Sequence, residues 1–323
     1  MQRHPVTRIV LAAAIAVAVA GAALTAVAAS PGESSATTAP SLYLSLGDSY
    51  SVGYQNSTLG NTTGFTGYVA TQKHLRLKNF GCGGATTTSL FSQIGCPPGA
   101  GAATHAVSYP TTSQVDAVLS YIGQTTHFGK VALVTVSIGG NDVTSCARAT
   151  DTTACVVAAQ TTVDTNVRTL VSDLRTALDA NGDTTAHIVG ITYPDVILGD
   201  YVAPVGATNP VLAAQSVGAF DLLINPTLSK AYTSQHGGAF VNVTRAPYGL
   251  ATKGDDTGTF DATTGAFTGP LTKLAGFGKV PVPVWEVCTI TWYCNPTTFG
   301  DIHANTEGYN FIGQLIVAKL ASL

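Results

Sequence analysis

The sequence predicts one three-layer α/β/α domain with a central parallel sheet of about five strands. Three observations lead to this prediction. Short runs of β-branched and apolar residues recur along the chain and indicate strands buried on both faces. Segments with apolar residues at steps of three and four lie between those runs and indicate amphipathic helices. A strand, a helix and a second strand in succession favour parallel pairing, with helices on both faces of the sheet.

The first segment of the chain is a predicted export signal. A positively charged start precedes an uninterrupted run of apolar and small residues, Ile9 to Ala29, and Ala26-Val27-Ala28 fits a signal-peptidase site. We therefore assign residues 1–28 to a cleaved signal peptide and 29–40 to a short polar linker, and we expect the protein to be secreted. The apolar run is also long enough to cross a bilayer, so an uncleaved N-terminal anchor is the alternative.

The predicted domain spans residues 41–323, without internal repeats. Its predicted strands are Leu42 to Leu46, a run near Leu75 to Phe80, Val131 to Ser137, Ala186 to Thr192 and Ala239 to Thr244. Its predicted helices are Val156 to Leu178, Thr208 to Tyr232 and Thr306 to Leu320, the last with Asn305 as N-cap.

The stretch from Pro247 to Thr298 is rich in Gly, Pro and Thr and has no clear period. We expect it to form a long, disulfide-tied excursion over one edge of the sheet. No change in composition marks a second domain, and after the N-terminal segment we expect no part of the chain to cross a membrane.

Charge and composition exclude two classes of protein. With 15 basic and 18 acidic side chains the net charge is −3, and it becomes −5 once Arg3 and Arg8 leave with the signal peptide. A nucleic-acid-binding protein needs a basic excess or a basic face, which this chain lacks. Apolar residues make up 45% of the chain, which excludes a disordered protein.

The cysteines fit an exported protein, because disulfides form in oxidising compartments. The six cysteines form three close sequential pairs: Cys82 with Cys96, Cys146 with Cys155, and Cys288 with Cys294. Six cysteines allow fifteen pairings, and the sequence does not choose among them. We predict the sequential pairing, in which each disulfide closes a local loop. A metal site is the alternative, but the chain has no CxxC pair and no suitably spaced histidine.

Chemically useful residues follow four predicted strand ends, where ligands of an open parallel sheet gather. The first strand ends at Gly47-Asp48-Ser49, and the second precedes a glycine-rich run that contains Gly84. The third strand precedes Gly139-Gly140-Asn141-Asp142, and Asp301-Ile302-His303 precedes the last helix. Each element alone has a structural explanation as a cap or a turn. Only their combination and their order along the chain indicate a functional site.

In this combination the chain resembles the SGNH hydrolases, also called GDSL esterases and lipases. The family's four blocks are matched in order by GDS at Gly47 to Ser49, Gly84, GxND at Gly139 to Asp142 and His303. The resemblance implies a flavodoxin-like fold, hydrolysis of carboxylic esters and no cofactor. The three cysteine pairs are also similar to those of the family's secreted bacterial lipases. The chain has no GxSxG motif, which argues against an ordinary α/β-hydrolase.

The resemblance also implies a role for each block. Ser49 attacks the ester carbonyl, and His303 takes the proton of Ser49, since a serine hydroxyl needs a neighbouring base to become a good nucleophile. The backbone N–H groups of Ser49 and Gly84 and the side-chain amide of Asn141 then donate to the oxyanion of the tetrahedral intermediate.

One position departs from the family pattern. Many relatives place an orienting aspartate three residues before the histidine, where this chain has Gly300. Asp301 lies only two residues before His303, and it is the candidate for the third catalytic residue. The alternative is a backbone carbonyl, for example in the loop between Cys288 and Cys294, that holds the imidazole instead.

The leading interpretation is therefore a secreted, monomeric serine esterase or lipase that acts on lipid or small acyl esters without a protein partner. A carbohydrate O-deacetylase acting on acetylated polysaccharide is the second interpretation. An exported binding module with a degenerate site is the third, but the joint presence of Ser49, Gly84, Asn141 and His303 argues against it.

Overall fold

Five parallel strands form the central sheet of the protein in its computed structural model, which describes residues 40–97, 101–103, 106–124, 129–202, 208–244 and 258–323. In chain order the strands are β1 (Leu42–Gly47), β2 (Arg76–Asn79), β3 (Val131–Ser137), β4 (His187–Ile191) and β5 (Gly238–Val241). They pair in the order β2-β1-β3-β4-β5, with every pair parallel. This is the doubly wound order of flavodoxin-like folds, so the predicted sheet is confirmed.

Helices connect the strands and extend the fold at its C-terminus. Among the described residues the α-helices are α1 (Gly64–Gln72), α2 (Ser89–Ser92), α3 (Gln114–Gln124), α4 (Gly140–Thr144), α5 (Thr152–Ala180), α6 (Pro210–Ala219), α7 (Asn225–Tyr232), α8 (Val282–Ile290) and α9 (Thr306–Leu320). Asn305 caps α9 as predicted, because its side chain accepts the Gly308 N–H. The predicted helix 208–232 is α6 and α7 joined by a π-helical turn, Phe220–Ile224.

The two faces of the sheet are covered by different helices. One face packs against α1 and α9 through Phe65, Val69, Ile312, Tyr43, Leu133 and Val189. The other packs against α3, α5 and α7 through Val118, Leu170, Leu228, Leu44, Val134 and Ile188. Neighbours such as Tyr43 and Leu44 lie on opposite faces, as the period of two in a strand requires. The predicted three-layer architecture is confirmed.

The stretch 247–298, which showed no clear period in the sequence, has regular structure in much of its described part, residues 258–298. It contains two antiparallel hairpins, β6 (Thr259–Phe260) with β7 (Phe267–Thr268) and β8 (Leu271–Leu274) with β9 (Gly278–Pro281), followed by α8. Helix α8 is apolar around most of its circumference and packs into a separate hydrophobic cluster through Val284 and Val287. A helix without an alternating polar face shows no amphipathic period, so its sequence gave no helical signal.

Two other sequence predictions concern the membrane and the N-terminus. The predicted signal peptide 1–28 and linker residues 29–39 lie outside the described residues. Contrary to expectation, the helical stretch Pro210–Tyr232 is long and apolar enough to cross a membrane by length and composition. One such helix is weak evidence for a membrane span, because a helix packed on the core of a globular domain meets the same criteria.

The three disulfides join the sequential pairs that the sequence predicted. Cys82–Cys96 closes the segment after β2, Cys146–Cys155 ties the chain before α5 to its first turns, and Cys288–Cys294 links α8 to the residues that follow it. Each therefore closes a loop near the carboxyl ends of the strands or in the C-terminal excursion.

A buried carboxyl group lies beyond the carboxyl end of β4. Asp195 is 1% exposed, and the Ser216 hydroxyl of α6 donates to its Oδ2 at 2.7 Å. Burial raises the pKa of Asp195 from 3.8 to about 7, outweighing the hydrogen bonds from Ser216 and the Ile197 N–H, which lower it. The folded state thus binds this proton more tightly than the unfolded state. Ionisation of Asp195 therefore costs stability as the pH rises from 3.8 to about 7.

We predict that Asp195→Asn flattens this pH dependence. At about 1.4 kcal/mol per pKa unit, the variant should gain on the order of 4 kcal/mol over wild type between pH values of about 4 and 8. Urea denaturation across that range measures the difference. Asp173→Asn, at a partly exposed position of α5, is the control and should follow the wild-type curve. If the free energy of unfolding depended on pH in the same way in Asp195→Asn and wild type, ionisation of Asp195 would not destabilise the fold.

Candidate active site

The site begins where β1 ends, at a glycine that no other residue can replace without strain. Gly47 has φ +129°, and a Cβ there would lie 2.0 Å from the Ser137 carbonyl oxygen of β3. The buried Gln114 side chain accepts the Gly47 N–H at 2.6 Å and donates back to the Gly47 carbonyl at 3.2 Å. The Asp48 N–H donates to Ser137 at 3.0 Å. These bonds fix the point at which residues 48–53, which we call the serine turn, leave the sheet.

The structure brings Ser49, His303 and Asp301 into a line of hydrogen bonds. Ser49 Oγ lies 2.9 Å from His303 Nε2, and His303 Nδ1 lies 2.6 Å from Asp301 Oδ1. The His303 and Asp301 side chains are only 17% and 19% exposed. A neutral imidazole that donates from Nδ1 to a carboxylate presents Nε2 as an acceptor, which is the tautomer that a base for a serine needs.

The residues that carry His303, positions 301–305, are called here the histidine loop. Its outer side is tied to the end of α8 by backbone hydrogen bonds from Trp292 N–H to the His303 carbonyl at 2.9 Å and from Asn305 N–H to the Ile290 carbonyl at 3.0 Å. The disulfide-closed loop Cys288–Cys294 thus contacts the backbone of His303. It is the Asp301 carboxylate that lies at Nδ1 of the imidazole, and the same oxygen accepts the His303 N–H at 3.0 Å.

Residues 81–86, called here the glycine loop, carry Gly84 at φ +79°, and the position of a Cβ on Gly84 faces open space. Among the described residues, the N–H groups of Ser49 and Gly84 donate to no acceptor. The Asn141 side-chain amide donates to the carbonyl of Ala85 at 2.9 Å, next to Gly84. One N–H of that amide therefore ties Asn141 to the glycine loop and leaves the second N–H for another acceptor.

Asp142, the last residue of the GxND block, holds the residues after the glycine loop. Its carboxylate accepts the Thr87 N–H at 2.9 Å and the Thr87 hydroxyl at 2.6 Å. Asn166 of α5 donates to the same hydroxyl at 3.1 Å. The acidic residue of this block thus fixes the backbone that follows Gly84, a contact that the sequence analysis did not anticipate.

A buried carboxyl group lies directly beside the serine. Asp48 is 1% exposed, and it accepts the Tyr50 N–H at 3.0 Å and the Tyr193 hydroxyl at 2.6 Å. Burial raises the pKa of Asp48 to about 6, while the hydrogen bond from Tyr193 lowers it. Sequence reasoning missed Tyr193. Its position just beyond the carboxyl end of β4 was the available signal.

Aromatic rings enclose the imidazole. The ring centroid of Tyr54 lies 4.5 Å from that of His303 with the rings nearly perpendicular, and Tyr50 lies 6.1 Å away. Among the residues that the structure describes, no group of three or more His, Cys, Asp and Glu side chains is arranged to hold a metal ion.

Comparison with known proteins gives a family match over most of the chain. The profile of the GDSL-like Lipase/Acylhydrolase family matches residues 45–311. No curated protein sequence shows a significant match. Matching solved structures include the lipase Lip_vut3 from a goat rumen metagenome, with 12% identity, a TM-score of 0.49 and coverage of 86% of this chain and 97% of that one. The acetylxylan esterase Axe2 from Geobacillus stearothermophilus matches with 13% identity, a TM-score of 0.47 and coverage of 88% and 95%.

We predict that Asp301→Asn severely reduces the turnover of any reaction that uses His303 as a base. The amide can favour the wrong imidazole tautomer, and the corresponding change in a serine-protease triad costs about 10⁴ in kcat. Steady-state hydrolysis of a chromogenic ester measures the loss. Asp261→Asn is the matched control, since Asp261 accepts the N–H groups of Thr263 and Thr264 in an exposed turn remote in sequence from the histidine loop.

A loss of tenfold or less in Asp301→Asn, roughly 1.4 kcal/mol, would contradict this prediction. With an unchanged circular dichroism spectrum, that outcome would leave Ser49 and His303 as a dyad.

Proposed function

The chain belongs to the GDSL-like lipase/acylhydrolase family, and on that premise we propose that it is a secreted serine esterase that hydrolyses carboxylic esters through Ser49. The observation that carries the proposal is the line of hydrogen bonds from Ser49 Oγ through the His303 imidazole to Asp301, at 2.9 and 2.6 Å. A nucleophile, a base and a residue that orients the base are the groups that acyl transfer requires.

In the first half of the reaction, Ser49 Oγ attacks the carbonyl carbon of the ester while its proton passes to His303 Nε2. The Asp301 carboxylate accepts the Nδ1–H and stabilises the imidazolium that results. The carbonyl π bond breaks, and its electron pair moves to the oxygen. The carbonyl then re-forms as the bond from its carbon to the alcohol oxygen breaks. His303 gives its proton to that oxygen, the alcohol leaves, and an acyl-enzyme remains on Ser49.

The negative charge on the former carbonyl oxygen needs donors that are already in place. The N–H groups of Ser49 and Gly84 are suited to this task, because neither has an acceptor among the described residues. The second N–H of the Asn141 amide is the third candidate donor, since the first is engaged with Ala85. Gly84 suits close approach by a substrate, as the space beside its Cα is open.

In the second half, water attacks the acyl carbonyl carbon and gives its proton to His303 Nε2. The bond from the acyl carbon to Ser49 Oγ breaks, and the proton returns from His303 to the serine. A carboxylic acid leaves and the site is restored. The same three side chains thus serve both halves of the reaction, with His303 alternating between base and acid.

Secretion is part of the proposal. Three local disulfides support it, since such bonds persist in oxidising compartments. The sequence of residues 1–28, with its charged start, apolar run and small residues, supports export through a cleaved signal peptide.

We predict that Ser49→Ala abolishes hydrolysis of chromogenic acetate, butyrate and palmitate esters and abolishes labelling by a serine-directed phosphonate. In the proposed mechanism the acyl group is attached to the Ser49 hydroxyl, which the variant lacks. Mass spectrometry of the labelled wild-type protein should place the adduct on Ser49. Ser51→Ala is the matched control, because the Ser51 hydroxyl lies in the same turn but donates to the Asp48 carbonyl. This variant should still be labelled on Ser49.

Near-normal hydrolysis by Ser49→Ala would end this proposal. The same assays separate the alternatives. Release of acetate from acetylated polysaccharide, with no activity on butyrate or palmitate esters, would favour a carbohydrate O-deacetylase. No turnover of any ester, together with no labelling, would favour an exported binding module.

We also predict that Asn141→Ala lowers kcat by about 10²–10³, the effect of removing one oxyanion donor, with a smaller change in KM. Asn166→Ala is the matched control. Asn166 is also an asparagine whose amide donates near the glycine loop, to the Thr87 hydroxyl at 3.1 Å, but it lies on α5. Its loss should change kcat by only a few fold. Equal effects of the two variants would reduce Asn141 to a residue that merely supports the loop.

A further inference from the structure

We infer that Tyr50 is a positioning residue, whose hydroxyl holds the histidine loop against the serine turn and so sets the distance between His303 and Ser49. The inference rests on the proposed function, because it concerns the geometry of the same nucleophile and base. The Tyr50 hydroxyl donates to the backbone of the histidine loop, whereas the contact between nucleophile and base is made by Ser49 Oγ and His303 Nε2.

The geometry is a double link between two segments that are far apart in sequence. Tyr50 directly follows Ser49, and its hydroxyl donates to the carbonyl of Ile302 at 2.7 Å. Ile302 lies between Asp301 and His303. The serine and its neighbour therefore bond to the histidine and its neighbour, and the Tyr50 bond runs beside the 2.9 Å contact from Ser49 to His303.

The Tyr50 side chain is buried and packed against other aromatic rings, as a positioning residue requires. It is 3% exposed, and its ring packs edge-on against Tyr193 with centroids 4.9 Å apart and against Tyr309 at 5.7 Å. Its own N–H is held by Asp48 at 3.0 Å. Burial raises the pKa of Tyr50 well above its ordinary value of 10.0, and the negative charge of Asp48 adds to the increase. The hydroxyl therefore keeps its proton and can donate at neutral pH.

The histidine loop needs a hydrogen bond to the serine turn to fix its position. Its outer side is tied to Trp292 and Ile290 by backbone bonds. Those bonds fix the loop to the end of α8, but they do not fix its distance from the serine turn. That distance depends on contacts between the loop and the serine turn itself. On its inner side, the hydroxyl of Tyr50 bonds to the backbone of the loop, whereas Ser49 reaches only the side chain of His303. Loss of the hydroxyl would leave the Ile302 carbonyl without this donor and release the loop.

The test is Tyr50→Phe, which removes one hydroxyl and keeps the ring. We expect kcat for a short-chain chromogenic ester to fall about 10–100-fold, since small displacements of catalytic groups have effects of this size, while KM changes less than about threefold. Tyr43→Phe is the matched control. Tyr43 is completely buried in β1 and its hydroxyl bonds to Thr135 at 2.7 Å, so the same change should leave kcat near the wild-type value.

A spectroscopic readout separates positioning from general stability. The proton between His303 Nδ1 and Asp301 should give a strongly downfield ¹H NMR resonance, assigned by its absence in Asp301→Asn. We expect this resonance to remain sharp in Tyr43→Phe and to broaden or move upfield in Tyr50→Phe. In the Asp301→Asn background, where the imidazole is already released, Tyr50→Phe should cost less than about threefold in kcat.

An unchanged downfield resonance in Tyr50→Phe, with the same kcat as Tyr43→Phe, would overturn the inference. Loss of the folded state in Tyr50→Phe alone would assign the hydroxyl a structural role and overturn it as well. If the wild-type protein hydrolyses no ester and Ser49 is not labelled, the proposed function fails, and the NMR comparison still decides whether Tyr50 positions His303.

Discussion

The pairing of the ends of β1 and β3 is the constraint on which the rest of the site depends. Gly47 and Ser137 are partners in this register, and they approach so closely that no Cβ fits at position 47. The contact determines where the serine turn leaves the sheet. It also places the GxND block beside the GDS block, since GDS begins at the last residue of β1 and GxND begins two residues after the end of β3. The parallel alignment of two central strands thereby brings together residues about ninety positions apart.

Buried polar groups fix the loops to the ends of these strands, and their burial lowers the stability of the fold. Asp48 is removed from water beside the serine, and its hydrogen bonds from Tyr193 and Tyr50 offset only part of the loss of hydration. Asp195 has the same character farther along the same edge of the sheet. A fold selected for stability alone would avoid such groups. Their concentration at the carboxyl ends of the strands is typical of an active site that sacrifices some stability for a fixed arrangement of polar side chains.

The C-terminal excursion supports the site from the other side. Helix α8 has its own small core, and the Cys288–Cys294 disulfide ties its last turn to the residues that follow. Ile290, at the end of α8, and Trp292, just beyond it, form the backbone bonds to the histidine loop. The imidazole is therefore held between a disulfide-closed segment on its outer side and the serine turn on its inner side. The position of His303 thus depends on contacts with two separate parts of the chain.

The sequence by itself determined the sheet, the helices α5, α6, α7 and α9 and the four blocks of the site, but it did not predict α1, α3 or α8. Strand and helix periods are local properties of the chain, and the first and third blocks stand beside their strands, so both could be found without coordinates. Helix α8 was not predicted because it is apolar on nearly all sides and has no amphipathic period.

Only the tertiary structure decided which groups meet. The sequence left open whether Asp301 or a backbone carbonyl lies at the imidazole, because two residues of spacing on a loop do not fix a side-chain direction. The sequence did not indicate the hydrogen bonds between the Gln114 side chain and the Gly47 backbone. Nor did it indicate the bond from Tyr50 to Ile302, which joins residues 252 positions apart. Hydrogen bonds of this kind follow from how helices and loops pack on the finished sheet, and no local pattern in the chain encodes them.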